Sequence, residues 1–127
     1  MSADQAKGLV HSDLTESILG AFYEVYNELG LGFLESVYES ALCVALEQRG
    51  LCCERQRPVC VMFRGRNIGD FRLDLVVGNL VVVEVKAVTQ LLPIHEMQLL
   101  NYLKATELKV GLLLNFGPKP QFSRKVS

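Results

Sequence analysis

Two apolar stretches joined at Gly78-Asn79 constrain this chain more than any other feature. Residues 67–77 and 80–86 alternate like β-strands, and a Gly-Asn pair between two such runs indicates a hairpin. Asp74, Glu84 and Lys86 place charge within the most apolar part of these strands, residues 73–86. We therefore expect the rest of the chain to form the scaffold that holds this hairpin.

The register of the hairpin depends on where Glu84 points. A two-residue turn would set Leu73 opposite Glu84 and place an unpaired carboxylate in an apolar layer, which is costly. A connection with an odd number of residues, or a bulge at Gly78, instead sets Asp74 opposite Glu84. We predict this second register.

In the predicted register Val77 lies opposite Val81, and the two faces of the hairpin differ sharply. One face carries Asp74, Glu84 and Lys86 together. The other face is wholly apolar and comprises Phe71, Leu73, Leu75, Val77, Val81, Val83 and Val85.

Two adjacent carboxylates repel each other unless a cation lies between them or one is protonated. Oxygen ligands of this kind suit Mg²⁺ or Mn²⁺. Lys86, on the same face, can orient or deprotonate a water, or stabilise charge on a phosphate. The alternative is an ordinary ion-pair cluster on a sheet face, and the spacing alone leaves both interpretations open.

Length and composition indicate one domain spanning residues 1–127, with 1–11 as a flexible lead-in. The longest apolar runs are far below the roughly 20 residues that span a bilayer, and residues 1–7 do not resemble a secretory signal. We expect a cytoplasmic protein without a membrane partner. The four cysteines form no Cys-x-x-Cys pair, so we expect free, buried thiols and no zinc site.

Hydrophobic periodicity predicts an α-α-β-β-β-α-β order with a possible final strand. This is an α/β fold with a mixed sheet and helices packed on it, and the third strand, third helix and fourth strand form a parallel crossover. The predicted helices cover residues 13–28, 34–49 and 93–107, and the predicted strands cover residues 52–63, 67–77, 80–86, 109–115 and 122–126.

Charge is divided unevenly although the net charge is only −1. Residues 1–50 contain eight acids and two bases, whereas residues 51–127 contain eleven bases and six acids, giving −6 and +5. A basic half can face phosphates. The alternative is that the solvated helix faces simply happen to be acidic.

Three motifs in order resemble a known family. Asp74 followed by Glu84-Val85-Lys86 resembles the PD-(D/E)xK nuclease signature, with Leu73 at the variable "P" position. The segment 32–38 (GFLESVY) matches the G-x-x-E-x-x-Y pattern of the GxxExxY proteins of that superfamily. The similarity continues through residues 95–102 and 113–117, and so covers about residues 13–126.

The resemblance implies a restriction-endonuclease-like αβββαβ core and a nuclease that hydrolyses phosphodiester bonds with metal-activated water. Asp74, Glu84, the Val85 carbonyl and Glu35 would be ligands of Mg²⁺ or Mn²⁺. Lys86 would be the catalytic lysine. The helical pair Gln98 and Tyr102 resembles a Gln-x-x-x-Tyr motif that contacts phosphate or fixes Lys86. The implied partner is nucleic acid, DNA in preference to RNA.

A binding or regulatory module that kept the fold without catalysis is the alternative function. Oligomeric state stays open, although an exposed edge strand could pair two copies as a homodimer. Three residues in or next to these motifs have simpler, structural interpretations. We expect Tyr38 in the core or as a hydrogen-bonded helix anchor, and Glu39 facing solvent. We expect His95 on the surface at a helix start, with a role as a proton carrier as the alternative.

Overall fold

The computed structural model describes residues 10–127, so most of the predicted lead-in at 1–11 lies outside the described residues. The helices and strands follow the predicted order and fall close to the predicted bounds. They are α1 Ser12–Leu29, α2 Glu35–Gln48, β1 Cys53–Phe63, β2 Arg66–Val77, β3 Val81–Lys86, α3 Pro93–Thr106, β4 Val110–Phe116 and β5 Pro120–Val126.

The five strands form one mixed sheet in the order β1-β2-β3-β4-β5. Strands β3 and β4 are parallel and are connected through α3, whereas every other neighbouring pair is antiparallel. This arrangement confirms the predicted α/β architecture and the predicted final strand. No helix within residues 10–127 is both long and apolar enough to cross a membrane.

The larger core cluster joins α1 and α2 to one side of the sheet. Its centre is aromatic: the ring of Tyr38 stacks on Phe116 at 4.4 Å, and Phe22 meets Phe116 edge-on at 4.8 Å. The Tyr38 hydroxyl donates to the Gly30 carbonyl at 2.5 Å and accepts from the Phe33 N–H at 3.2 Å. Tyr38 therefore fixes the turn between the two helices as well as filling the core, as predicted.

The hairpin register is confirmed. Val77 pairs with Val81 across a connection of Gly78, Asn79 and Leu80, and the Leu80 N–H donates to the Val77 carbonyl at 3.1 Å. Gly78 and Asn79 both have positive φ, 61° and 56°, as a tight hairpin turn of this hand requires. The odd connection keeps Glu84 away from the position opposite Leu73.

The predicted apolar face is wrong for Phe71 and Leu73. Leu73 packs with Leu99 and Leu103 of α3 in a second core cluster, and Phe71 packs against the same cluster. Leu75 and the remaining valines of that face do pack under α1 and α2. The hairpin thus changes sides between residues 73 and 75, which strict alternation cannot produce.

The physical cause is a kink that β1 and β2 share. Arg55 pairs with Leu75 and Arg57 pairs with Leu73, but the residues between them, Gln56 and Asp74, leave the regular ladder. Gln56 has φ 55°, a left-handed conformation that is rare within a strand. Both strands rotate about their own axes at this step. The pairing register therefore continues beyond it, but side chains that alternation assigns to one face of the sheet lie on the other.

Two further expectations are wrong. Glu39 is only 6% exposed, because it lies between α2 and β1 and bonds to side chains of β1. All four cysteines are free, but only Cys43 is buried, and Cys52 and Cys60 are exposed.

Candidate active site

Asp74 and Glu84 meet where β2 and β3 separate. The backbone ladder between these strands ends at Leu75 and Val83. Beyond it the bonds involve side chains: the Val85 N–H donates to Asp74 Oδ2 at 2.8 Å, and the Asp74 N–H donates to Glu84 Oε1 at 3.4 Å. The structure therefore brings the two predicted carboxylates into one contact.

Glu84 is the electrostatically unusual member of the pair. It is only 6% exposed. The pKa of its carboxyl is raised to about 9, first by burial and then by the negative charge of Asp74 and a side-chain hydrogen bond with it, while a backbone hydrogen bond and the charge of Lys86 lower the pKa by less. In the absence of a cation, Glu84 therefore holds a proton at neutral pH.

This pair suits a small divalent cation. A cation between the two carboxylates would replace the proton on Glu84 and remove the repulsion that raises its pKa. Mg²⁺ typically binds one or two protein carboxylates and completes its shell with water and substrate phosphate. Asp74 and Glu84 supply that number of carboxylates.

Lys86 ends β3 two residues after Glu84, is half-buried, and lies opposite Asn115 of β4. Asn115 is fully buried and bonds twice to Val88: its Oδ1 accepts the Val88 N–H at 2.9 Å, and its Nδ2 donates to the Val88 carbonyl at 3.0 Å. A Cβ at Gly117 would approach the Val88 oxygen to 2.0 Å. Asn115 and Gly117 thus hold the chain that follows Lys86, a role that the sequence did not reveal.

Glu35 approaches the site from α2. Its Oε2 accepts the N–H of Ala87 at 3.0 Å, so the carboxylate reaches the residue after Lys86. The side chain is exposed. Across residues 10–127, no three or more His, Cys, Asp or Glu side chains are grouped closely enough to hold a metal. Glu35 therefore lies at the end of β3 without completing a three-residue cluster.

Helix α3 carries Tyr102, which packs against β2 near the site. Its ring stacks on Phe71 at 4.4 Å and 21°. Burial raises the pKa of the Tyr102 phenol, and the charges of Glu84 and Asp74 add to the shift. Tyr102 is therefore near enough to the carboxylate pair to be affected by its charge, whereas Gln98, one turn earlier, is exposed on the helix. The half-buried His95 accepts the Leu92 N–H on Nδ1 at 3.0 Å and so closes the start of α3.

A buried polar group supports the kink behind Asp74. Glu39 of α2 accepts a hydrogen bond from Gln56 Nε2 at 2.7 Å and forms an ion pair with Arg55 at 3.5 Å. These partners satisfy a carboxylate that would otherwise be unpaired in the interior. Because Gln56 is the left-handed residue opposite Asp74, this group holds the backbone at the point where β2 is kinked. Sequence reasoning missed it because carboxylates are rarely buried, although Glu39 has the helical spacing of the buried Leu42, Cys43 and Leu46.

Comparison with known proteins identifies the fold and the superfamily of the chain. The crystal structure of SSO0001 superposes with a TM-score of 0.58 at 18% sequence identity, over 96% of this chain and 61% of that one. The fold is therefore shared, although this chain spans only about three fifths of the length of that protein. No curated protein sequence matches the chain. The family model of the PD-(D/E)XK nuclease superfamily matches residues 12–125, and the chain belongs to that superfamily.

Proposed function

We propose that this protein is a metal-dependent nuclease whose centre is the Asp74–Glu84 pair. The observation that carries the proposal is the buried Glu84 carboxyl in contact with Asp74, with Lys86 following on the same strand. A scaffold without a ligand has little reason to bury Glu84 beside a second, half-buried acid, because burial and repulsion are both costly. Membership of the nuclease superfamily supports the same interpretation.

Asp74 and Glu84 would hold Mg²⁺ or Mn²⁺, with the Val85 carbonyl and Glu35 as further oxygen donors. When bound, such an ion lowers the pKa of a coordinated water and neutralises charge on a phosphate. Glu35 would take part through its Oε1, since its Oε2 accepts the Ala87 N–H.

The remaining residues act on the substrate directly. Lys86, at the end of β3, would stabilise the negative charge that develops on the phosphate. Tyr102 would position a phosphate oxygen or Lys86 through its hydroxyl, because the stack on Phe71 fixes its ring beside the carboxylates. Gln98 is exposed on the same helix and would contact the substrate backbone.

Finer assignments extend this proposal. The segment 32–38 supports placement among the GxxExxY proteins, since both its Glu35 and its Tyr38 have defined contacts. We further propose DNA rather than RNA as the substrate and the cytoplasm as the location.

The deciding experiment is a cleavage screen on linear, circular, single-stranded and duplex nucleic acids with Mg²⁺ and with Mn²⁺. The native chain should cleave, and Lys86→Ala should lose at least about a hundredfold in rate while keeping its circular dichroism spectrum. Lys109→Ala, an exposed lysine next to the other end of β4, is the matched control and should cleave normally. Equal metal-dependent cleavage by Lys86→Ala and the native chain would refute the assignment.

The second candidate is a non-catalytic binding module. The described part of the chain favours it in one respect, since Glu35 contacts the Ala87 backbone and does not group with Asp74 and Glu84. Calorimetric titration with Mg²⁺ and Mn²⁺ separates the two candidates. A module should bind nucleic acid without binding either ion, and Asp74→Asn should leave that binding unchanged.

A further inference from the structure

Beyond the candidate site, β1 and β2 continue as a two-stranded ribbon. They pair from Cys53–Val77 out to Phe63–Arg66, whereas β3 pairs with β2 only at residues 75–77. Residues 58–72, here called the ribbon, therefore have no third strand beside them in the described sheet. Helix α3 contacts the ribbon at Phe71 and beside Cys60, whereas residues 62–68 are all exposed and form its projecting tip.

The end of the ribbon combines exposed apolar and cationic side chains. Met62, Phe63 and Ile68 are 58%, 54% and 62% exposed. The guanidinium of Arg64 lies over the Phe63 ring, 4.9 Å from its centroid. Arg64 and Arg66 flank Gly65 at the turn.

Charge on the ribbon contrasts with charge on the whole chain. Residues 58–72 contain three arginines and a single acid, Asp70, which gives +2 in a chain whose net charge is −1. Asp70 accepts a bond from Asn67 at 3.1 Å, so this acid is engaged within the ribbon. Lys104 of α3 adds a further cation, since it lines a cleft of about 370 Å³ with Cys60 and Met62.

The ribbon is also fixed relative to the carboxylate pair. Its strand β2 is continuous from Arg66 to Asp74 with one bulge at Ile68, and it spans at most about 26 Å at 3.3 Å per residue. Near its base Phe71 stacks on Tyr102 of α3, and Leu73, next to Asp74, packs with Leu99 and Leu103 of the same helix. A ligand held by Arg64 and Arg66 therefore lies at a set distance from the site.

We propose that the ribbon docks duplex DNA by entering its major groove, which presents a phosphate backbone to Asp74 and Glu84. The B-form major groove, about 12 Å wide, admits a two-stranded β-ribbon, whereas the deep and narrow major groove of A-form RNA does not. Arg64 and Arg66 contact phosphates or guanine edges, and the apolar tip contacts base surfaces. The consequence for cleavage rests on the proposed function, but the docking itself does not.

The test measures binding in EDTA, where no cleavage is needed. Fluorescence anisotropy compares a labelled DNA duplex with its isolated strands for the native chain and for Arg64→Ala/Arg66→Ala. The double variant should bind the duplex roughly tenfold or more weakly than the native chain. In a plot of log Kd against log salt concentration, its slope should be smaller than the native slope by about 2. The loss for single strands should be markedly smaller.

The charge-matched control is Arg49→Ala/Lys109→Ala, which removes two cations outside the ribbon and should keep duplex affinity within about threefold of the native value. Ribbon-dependent duplex binding in a protein that cleaves nothing would leave the docking proposal standing and refute the nuclease assignment.

Three results would overturn the docking proposal. The ribbon variant could bind duplex as tightly as the native chain, or it could lose equal affinity for duplex and single strands. Alternatively, light scattering could show a native dimer that Ile68→Ser dissociates without changing duplex affinity. In that case the ribbon would pair with a second copy of the chain.

Discussion

Replacing Glu84 with glutamine should stabilise the metal-free protein at neutral pH. Burial and the charge of Asp74 raise the pKa of this carboxyl from an ordinary value near 4.5 to about 9. Between those two values the folded state binds a proton that the unfolded chain releases. Stability therefore falls as pH rises through this window, by up to about 1.4 kcal/mol per pH unit.

The expected magnitude follows directly. Glu84 should reduce the free energy of unfolding by about 3 kcal/mol between pH 5 and pH 7.5. Glu84→Gln has no such titration, keeps an oxygen for the Asp74 N–H, and can donate its amide to the Asp74 carboxylate. The free energy of unfolding of Glu84→Gln should thus exceed that of the native protein by a few kcal/mol at pH 7.5, and the two values should converge near pH 5.

The assay is urea unfolding in EDTA at half-unit steps from pH 5 to pH 8.5. Glu39→Gln is the matched control, because Glu39 is equally buried but has Gln56 and Arg55 as partners. Removing that charge leaves Arg55 without its ion-pair partner, so the control should be less stable than the native protein. Parallel pH curves for native and Glu84→Gln protein, or a less stable Glu84→Gln at pH 7.5, would refute the reasoning.

Three further predictions concern the same site. Mg²⁺ affinity measured by calorimetry should rise about tenfold per pH unit between pH 7 and pH 8, because binding displaces the proton on Glu84, and a pH-independent affinity would contradict this. Gln56→Val should lower the free energy of unfolding by about 1–3 kcal/mol, because the φ of 55° at this position is strained for a β-branched residue. Gln56→Gly also loses the bond to Glu39 but tolerates this φ, so chemical unfolding should show a smaller loss of stability. Tyr102→Phe keeps the stack on Phe71, so its free energy of unfolding should lie within about 1 kcal/mol of the native value, whereas Tyr102→Ala should be clearly less stable. Equal stability of the two variants would show that the stack does not support the ribbon.

The hairpin register could be predicted because a single energetic conflict decided it. One of the two possible registers placed Glu84 against Leu73, and the cost of an unpaired buried charge excluded it. The element order was equally accessible, since helical and strand periodicities are strong and Gly and Pro mark the connections. Both inferences need only the local sequence pattern and a judgement of which of two arrangements has the lower free energy.

The faces of the hairpin beyond Asp74 could not be predicted for a specific reason. Alternation assumes a regular strand, and the irregular residue is Gln56, which carries none of the usual signals for a positive φ. Its conformation is supported from another element, through the buried Glu39 of α2. A tertiary contact between residues 17 apart in sequence thus decides which side of the sheet Phe71 and Leu73 occupy.

The failure of alternation and the candidate site have one origin. Where β1 and β2 turn over at Gln56 and Asp74, the Asp74 side chain takes the Val85 N–H that a regular ladder would have bonded to backbone. The same turn directs Phe71 onto Tyr102 and sends the ribbon away from β3. A strand that kept its alternation would place Phe71 and Leu73 beneath α1 and α2 and would leave Tyr102 without its stacking partner. The irregular step is therefore what joins the carboxylate pair, its aromatic cover and the projecting ribbon into one unit.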